Sequence, residues 1–284
     1  MTLDPVTVER YLARLGVARP DRLDLAALRT LQERHVRTIP FENVDCLRRR
    51  PLALGRGAVE KIVDEHRGGG CYELNSAAGL LLESLGFEVT VLGGRIYEGS
   101  ALTFPLRHLV LRVETPEGSH LVDTGFGFGS NRNSLHPLRL DETGAQSDPH
   151  GVYRLVPTAD GDVDVLREEA PLYRIETHPR EVEEFSATLW WFLTSPDSDF
   201  LQNLFCILPL DSGRLSLRDR RFSEVVDGEK TTTELADAAE VRGVLADRFG
   251  IAVDDIPDLE EPGAAIAPRM AERAAPRGTT VGAA

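Results

Sequence analysis

The chain has 284 residues, enough for one large domain or two to three small ones with a sizeable core. Hydrophobic residues make up 42% and charged residues 27%, which excludes a disordered chain. A net charge of -14 repels phosphate backbones and anionic lipids, so we expect neither nucleic acid nor a membrane surface as a partner. The sequence contains no apolar run of membrane-spanning length and does not begin with a secretory signal, which predicts a cytoplasmic protein.

Hydrophobic periodicity divides the chain into a helical first part and a strand-rich middle. Apolar residues at three- and four-residue spacing predict helices over Pro5 to Leu15, Leu25 to Val36 and Ala58 to His66. Alternating runs then predict strands over Phe87 to Gly93, His108 to Val113, His120 to Phe126 and Tyr153 to Pro157.

The last third of the chain mixes both patterns. We expect a helix over Arg180 to Leu193, strands over Asn203 to Leu210 and Arg214 to Arg218, and a final helix over Glu240 to Phe249. The remaining residues are rich in Ala, Pro, Gly and Arg, which predicts a flexible tail.

The cysteines raise the question of a nucleophile. Cys46, Cys71 and Cys206 are widely spaced, with no CxxC or HExxH motif, so we expect neither a disulfide framework nor a metal site. Cys71 follows a glycine run and opens a helical stripe, and a helix N-terminus favours the nucleophilic thiolate. A small buried cysteine behind a flexible turn is the alternative interpretation. Cys46 and Cys206 are assigned no role.

One predicted hairpin supplies partners for this thiol. If Glu114 pairs with Ser119, His108 and Asp123 become diagonal neighbours on one face of the sheet, close enough for their side chains to meet. His120 then points to the other face. A cysteine nucleophile requires an imidazole oriented by a carboxylate, although a half-exposed strand histidine beside a turn aspartate is the alternative.

Four motifs together resemble the arylamine N-acetyltransferases. They are Pro40-Phe41-Glu42-Asn43, Arg67-Gly68-Gly69-Gly70-Cys71-Tyr72-Glu73-Leu74-Asn75, His108 at a strand start, and Leu121-Val122-Asp123-Thr124-Gly125-Phe126-Gly127. The resemblance implies an α+β fold around a cysteine-protease-like triad. Its expected parts are a helical domain over 1–88, a β-barrel domain over 89–179, an interdomain helix over 180–202, an α/β lid over 203–262 and a tail over 263–284.

The same resemblance implies the chemistry and its residues. Acetyl-CoA or another acyl-CoA is the donor, an aromatic amine or hydrazine is the acceptor, and the acyl group passes through a thioester on Cys71 in a ping-pong mechanism. His108 and Asp123 complete the triad, above an ion pair between Glu42 and Arg67. The implied substrate pocket or oxyanion region comprises Phe41, Gly69, Gly70, Tyr72, Thr103, Phe104, Phe126 and Gly127.

The sequence departs from the family pattern at Gly70, where a bulky residue is usual, at Arg107 before the histidine, and at Val44. Because Gly70 has no side chain to line the substrate pocket, we expect room for a larger acceptor. Two other functions stay open. One is an amide synthase of the same family, which closes macrolactams or forms other amides in secondary metabolism and takes its acyl group from an acyl carrier protein. The other is a thiol hydrolase with the same triad, or a binding module without activity.

Overall fold

The computed structural model describes residues 2–126, 134–251 and 253. The predicted site residue Gly127 and the predicted tail, 263–284, lie outside these residues. The helices are α1 (Pro5–Leu15), α2 (Leu25–Thr38), α3 (Val44–Leu47), α4 (Arg56–Val63), α5 (Cys71–Leu85), α6 (Ser186–Thr194) and α7 (Ala238–Phe249). Within the described ranges, none of the helices is long and apolar enough to span a membrane.

The strands form two sheets. They are β1 (Phe41–Glu42), β2 (Glu88–Glu98), β3 (Ala101–Leu102), β4 (His108–Thr115), β5 (Gly118–Val122), β6 (Leu138–Arg139), β7 (Gln146–Asp148), β8 (Gly151–Pro157), β9 (Val163–Arg167), β10 (Ala170–Arg180), β11 (Phe205–Leu210), β12 (Gly213–Arg218), β13 (Arg221–Val226) and β14 (Glu229–Glu234). The larger sheet has the order β6-β5-β4-β2-β10-β9-β8-β7, and β3 pairs with β2.

The first core surrounds α5. Both ends of α1 follow from the sequence, since Asp4 caps its first turn and Gly16 ends it in the left-handed conformation. Helices α1, α2 and α4 pack their apolar faces around α5, and this core continues onto one face of the large sheet through Leu109, Leu111 and Val113. Helix α5 is therefore buried on most of its circumference, which fixes the position of its first residue, Cys71.

The large sheet encloses a second core and carries the predicted hairpin. Glu114 pairs with Ser119 in the β4–β5 ladder, so the predicted register is confirmed. Residues on the inner face, among them Val110, Leu121 and Tyr173, pack together with Phe126.

The smaller sheet has the order β1-β11-β12-β13-β14 and packs against α7 around a third core. Its edge strand β1 comes from the first part of the chain, and Phe41 and Glu42 pair with Ile207 and Cys206. The outer strand, β14, is exposed along its whole length. The α+β architecture expected from the resemblance is thus present.

Several predicted elements differ from the structure at their ends, and two of these differences have a clear local reason. The helix predicted over Arg180 to Leu193 begins at Ser186, after a 3₁₀ turn over Val182–Phe185, because β10 runs through Pro179 to Arg180. Pro179 is accommodated there next to a register shift between Glu176 and Pro179, where a strand tolerates a residue without an N–H group. The strand predicted to reach Phe126 ends at Val122, because Asp123 and Thr124 turn toward Asn75.

Candidate active site

The candidate nucleophile, Cys71, is the first residue of α5. Its N-cap residue Gly70 has an extended backbone, and Leu74 N–H donates to Gly70 O at 2.9 Å in the first turn. The residue Cys71 is 9% exposed, so it is mostly buried but still partly accessible to solvent. The first-turn amides of a helix have no intrahelical acceptor and favour negative charge, and Cys71 lies in this first turn.

His108 and Asp123 form a hydrogen-bonded pair, with 2.8 Å between His108 Nε2 and Asp123 Oδ2. Both side chains are almost fully buried. His108 also has a side-chain hydrogen bond to Cys71. Because Nε2 faces the carboxylate, Nδ1 is the ring nitrogen left for the sulfur, and the three predicted residues meet in the order Cys71, His108, Asp123.

Electrostatics keep this pair ionised. Burial lowers the pKa of His108, but the Asp123 charge and hydrogen bonds to Asp123 and Cys71 outweigh it and raise the pKa to about 10. Burial opposes ionisation of Asp123, yet the charge and hydrogen bond of His108 hold its pKa below the usual range. An imidazolium therefore stands beside the sulfur at neutral pH.

Three groups that the sequence analysis did not assign to the site hold Asp123 in place. Asn75 Nδ2 donates to Asp123 Oδ1 at 3.0 Å, and the Gly125 amide donates to the same oxygen at 3.0 Å. Tyr173 has a side-chain hydrogen bond to Asp123 and lies edge-on to the His108 ring, with centroids 5.0 Å apart. Asn75 follows Cys71 by one helical turn, so helical spacing alone could have predicted that it lies on the same face of α5. Tyr173 lies in β10, and no sequence pattern near it indicates that it contacts the triad.

Gly125 lies where the loop after β5 passes over the nucleophile. A Cβ atom at this position would come within 2.8 Å of Cys71 Cα and 3.1 Å of Asn75 Nδ2. A side chain at residue 125 would therefore push the Asp123 loop away from α5. The glycine allows this close approach.

A buried group of five charged side chains lies beneath the glycine run, and we call it the charge cluster. Its members are Glu42, Asp45, Lys61, Arg67 and Glu73. Arg67 Nη2 lies 2.7 Å from Glu42 Oε1, so the implied ion pair is present. Lys61 Nζ lies 2.8 Å from both Glu73 Oε1 and Asp45 Oδ2. Asp45, Lys61 and Glu73 were not assigned to the site from the sequence.

The charge cluster reaches the nucleophile through Glu73. Its second oxygen, Oε2, accepts the Gly70 amide at 3.0 Å, and Gly69 N–H donates to Pro40 O at 3.3 Å. These two amides are thus engaged within the protein, and the expectation that Gly69 and Gly70 offer oxyanion donors is not supported. The glycines act by close approach instead, since a Cβ on Gly69 would lie 2.8 Å from Glu73 Cβ. The amides of Cys71 and Tyr72, in the first turn, are the better-placed donors.

Aromatic rings surround the triad. Phe126, one of the predicted pocket residues, meets the His108 ring edge-on at 5.1 Å between centroids. On the other side, Phe41 and Phe200 contact each other at 6.1 Å. A Cβ on Gly70 would lie 3.6 Å from Phe200 Cε1, an ordinary packing distance. The space expected beside Gly70 therefore adjoins a ring supplied by another part of the chain.

Three other predicted pocket residues, Tyr72, Phe104 and Thr103, make contacts within the protein. The Tyr72 hydroxyl donates to Leu106 O, and its ring meets those of Phe185 and Phe192 edge-on. Phe104 joins this group through Trp191, with 5.0 Å between ring centroids. Thr103 directly follows β3 and bonds to Ile96 of β2 through its backbone amide and its hydroxyl, so its hydroxyl is engaged within this pairing.

The remaining thiols and histidine differ from the triad. Burial raises the pKa of Cys46 and of Cys206 well above the usual range, which keeps both as inert thiols. His120 contacts Thr115 and pairs with Val113, and burial lowers its pKa. Within the described ranges, no three His, Cys, Asp or Glu side chains lie together in a way that could hold a metal ion.

Comparison with known proteins decides the family. A family model described as N-acetyltransferase matches residues 24–258. The arylamine N-acetyltransferase of Mycolicibacterium smegmatis is 36% identical over 258 residues, covering 87% of this chain and 92% of its own length. The chain belongs to the arylamine N-acetyltransferase family. The Escherichia coli (strain K12) member is 32% identical, with 87% and 90% covered.

Solved arylamine N-acetyltransferase structures share the fold. The M. smegmatis structure superposes with a TM-score of 0.78 at 34% identity, covering 88% of this chain and 93% of that one. A Mycobacterium marinum arylamine N-acetyltransferase, solved in complex with CoA, gives a TM-score of 0.76 at 31% identity, with 86% and 92% covered. The fold described above is thus shared with solved arylamine N-acetyltransferases. One of those structures contains CoA.

Proposed function

We propose that this protein transfers an acetyl group from acetyl-CoA to an aromatic amine or hydrazine through a thioester on Cys71. The observation that carries the proposal is the buried chain of hydrogen bonds from Cys71 through His108 to Asp123, in a protein of this family. The named activity of the relatives and the CoA complex of one of them support acetyl-CoA as the donor.

The first half-reaction acylates the sulfur. The Cys71 thiolate attacks the carbonyl carbon of the acetyl thioester, forming a new S–C bond, and the bond from that carbon to the CoA sulfur breaks. The His108 imidazolium gives its proton to the departing CoA thiolate. The first-turn amides of Cys71 and Tyr72 face the charge that develops on the carbonyl oxygen.

The second half-reaction reverses the roles. The ring is neutral once it has protonated CoA, and the acylated sulfur no longer supports a positive charge on it, so His108 stays neutral and is available to take the proton of the amine. The amine nitrogen attacks the Cys71 thioester, the S–C bond breaks, and the amine proton goes to His108. Asp123 keeps the ring oriented through both steps.

The acceptor is best accommodated by the rings of Phe126, Phe41 and Phe200. Aromatic walls favour a flat, neutral acceptor by edge-on contact. Phe200 lies beside Gly70, which favours a small arylamine over the larger acceptor expected from the sequence. The amide synthase is the alternative, and an acyl carrier protein would then acylate Cys71.

Steady-state kinetics test the proposal. Varying acetyl-CoA at several arylamine concentrations should give parallel double-reciprocal lines, because CoA leaves before the amine binds. Converging lines would contradict a thioester intermediate. CoA release that continues at the full rate without any amine would indicate the thiol hydrolase instead. Acylation by a loaded carrier protein, but not by acetyl-CoA, would support the amide synthase.

A further inference from the structure

A second concave site lies along α5, away from the triad. It is a groove of about 480 Å³ between the outer face of α5, the segment before α4, strands β2 and β4, and the 3₁₀ turn that precedes α6. None of the residues assigned to the active site lines it. Its volume falls in the range of small-molecule pockets.

The floor of the groove is apolar and half exposed. Leu54, Leu80, Val89, Val91 and Leu189 each pack against the first core with one side and face the groove with the other. A concave cluster of large, half-buried apolar side chains gains free energy when a ligand covers it. The groove therefore favours a ligand with an apolar body.

The hydroxyl groups in the groove are already engaged. Ser76 Oγ accepts the Gly55 amide at 3.0 Å and donates to Glu73 O at 3.3 Å. Ser186 Oγ donates to Glu183 O at 2.5 Å. The polar groups left for a ligand are the charged side chains at the rim.

The rim is acidic. Glu83, Glu181 and Glu183 line it together with a single cation, Arg56, and within the described residues none of these four forms an ion pair. The neighbouring Arg180 forms ion pairs with Glu176 and Glu184, with N–O distances of 3.1 and 3.3 Å. With three carboxylates against one guanidinium, the groove attracts a positive charge.

We propose that this groove binds a cationic amphiphile, a protonated alkylamine attached to an apolar or aromatic body. The apolar part covers Leu80 and Val91, and the ammonium group lies among the three rim carboxylates. This ligand class differs from the acceptor of the active site, because an arylamine is neutral at pH 7. The inference does not depend on the proposed function.

The test is isothermal titration of the full chain with three probes of one shape: 4-phenylbutylamine, 4-phenylbutanol and 4-phenylbutanoate. Two further proteins carry Glu83→Gln, Glu181→Gln and Glu183→Gln in the groove, or the matched control Glu65→Gln, Glu142→Gln and Glu229→Gln at exposed positions elsewhere. A fourth protein carries Val182→Trp, which places an indole in the groove.

We expect the amine to bind at least about tenfold more tightly than the alcohol, and the acid to bind most weakly. The groove triple variant should lose that preference, the control should keep it, and Val182→Trp should abolish binding. Equal affinity for amine and acid, no binding up to the solubility limit, or unchanged affinity in the groove variant would each overturn the proposal. Competitive inhibition against the arylamine would place the probe in the active site and overturn it as well.

Discussion

At the scale of single residues, the charge on His108 links the structure to the chemistry. Two neighbours raise the pKa of the imidazole: Asp123, beside one ring nitrogen, and Cys71, beside the other. Only the Cys71 contribution changes during the proposed reaction, when the sulfur is acylated. The same histidine can therefore act as an acid in the first step and as a base in the second.

This alternation gives a prediction for pH titration. In the free enzyme the pKa of His108 is about 10, so the ring stays protonated well above neutral pH. Cys71→Ala removes one of the groups that raise it, and we expect a lower pKa by NMR titration of the ring. The variant's imidazole should then lose its proton at a lower pH than that of the wild type. An unchanged or higher value would show that the sulfur does not act on the imidazole.

Asp123→Asn tests the orienting carboxylate. An amide forces the wrong tautomer on His108 without changing the shape of the buried site, so we expect kcat to fall by about 10⁴-fold, as in a serine protease triad. Circular dichroism should remain close to that of the wild type. His120→Ala is the control and should retain nearly full activity, since His120 has no contact with the triad. A mild effect of Asp123→Asn, or a large effect of His120→Ala, would argue against the assignment.

At the scale of elements, local patterns predicted much of the framework. The bounds of α1 and the start of α5 are confirmed, because caps and apolar spacing specify them within a few residues. The β4–β5 register was also predictable, since the face that carries His108 and Asp123 follows from the length of one turn. These local signals were enough to place the triad residues near one another.

Other parts of the site depend on contacts that no local pattern records. The charge cluster joins β1, α3, α4 and α5 with the loop before α5, and each member alone is an ordinary charged residue in the sequence. Phe200 reaches Gly70 from a distant segment, so a ring adjoins the space expected there, and room for a larger acceptor stays a prediction. Among the strands that were not predicted are β9, β10, β13 and β14, and β14 is polar and exposed along its whole length.

Lys61→Met tests the charge cluster. It leaves Asp45, Glu42 and Glu73 buried with Arg67 as the one remaining cation of the cluster. Unpaired buried charge typically costs about 3 to 5 kcal/mol, so the free energy of unfolding in urea should fall by that order. Activity should fall too, since Glu73 also holds the Gly70 amide. The control Lys230→Met removes the other, exposed lysine and should change neither quantity. Equal stability of the two variants would contradict a structural role for the cluster.

At the scale of the whole molecule, the first predicted part of the chain supplies a strand to the sheet of the fourth. Strand β1 is the edge of the sheet that belongs to the third core. The domain limits 1–88, 89–179, 180–202 and 203–262 stay predictions, and β1 crosses from the first part into the sheet of the fourth. We infer that the two parts unfold together.

Asn43 is one side chain that joins them. Its Nδ2 donates to Phe200 O and Asn203 O at 3.0 and 2.7 Å, and its Oδ1 accepts Phe205 N–H at 2.7 Å. Asn43→Ala leaves these backbone groups without that partner, and we expect a loss of at least about 2 kcal/mol in urea unfolding. Asn203→Ala, whose side chain makes one long contact of 3.5 Å, should cost less than about 1 kcal/mol. Similar losses in both variants would mean that Asn43 does not join the two parts.

The central claim is that Cys71 carries the acyl group. Peptide mass spectrometry after a brief exposure to acetyl-CoA measures this directly. The account predicts one added acetyl group on the peptide that contains Cys71, and its disappearance, with release of the N-acetylated product, when an arylamine is added. An acetyl group on Cys46 or Cys206, or no labelled cysteine despite turnover, would contradict it.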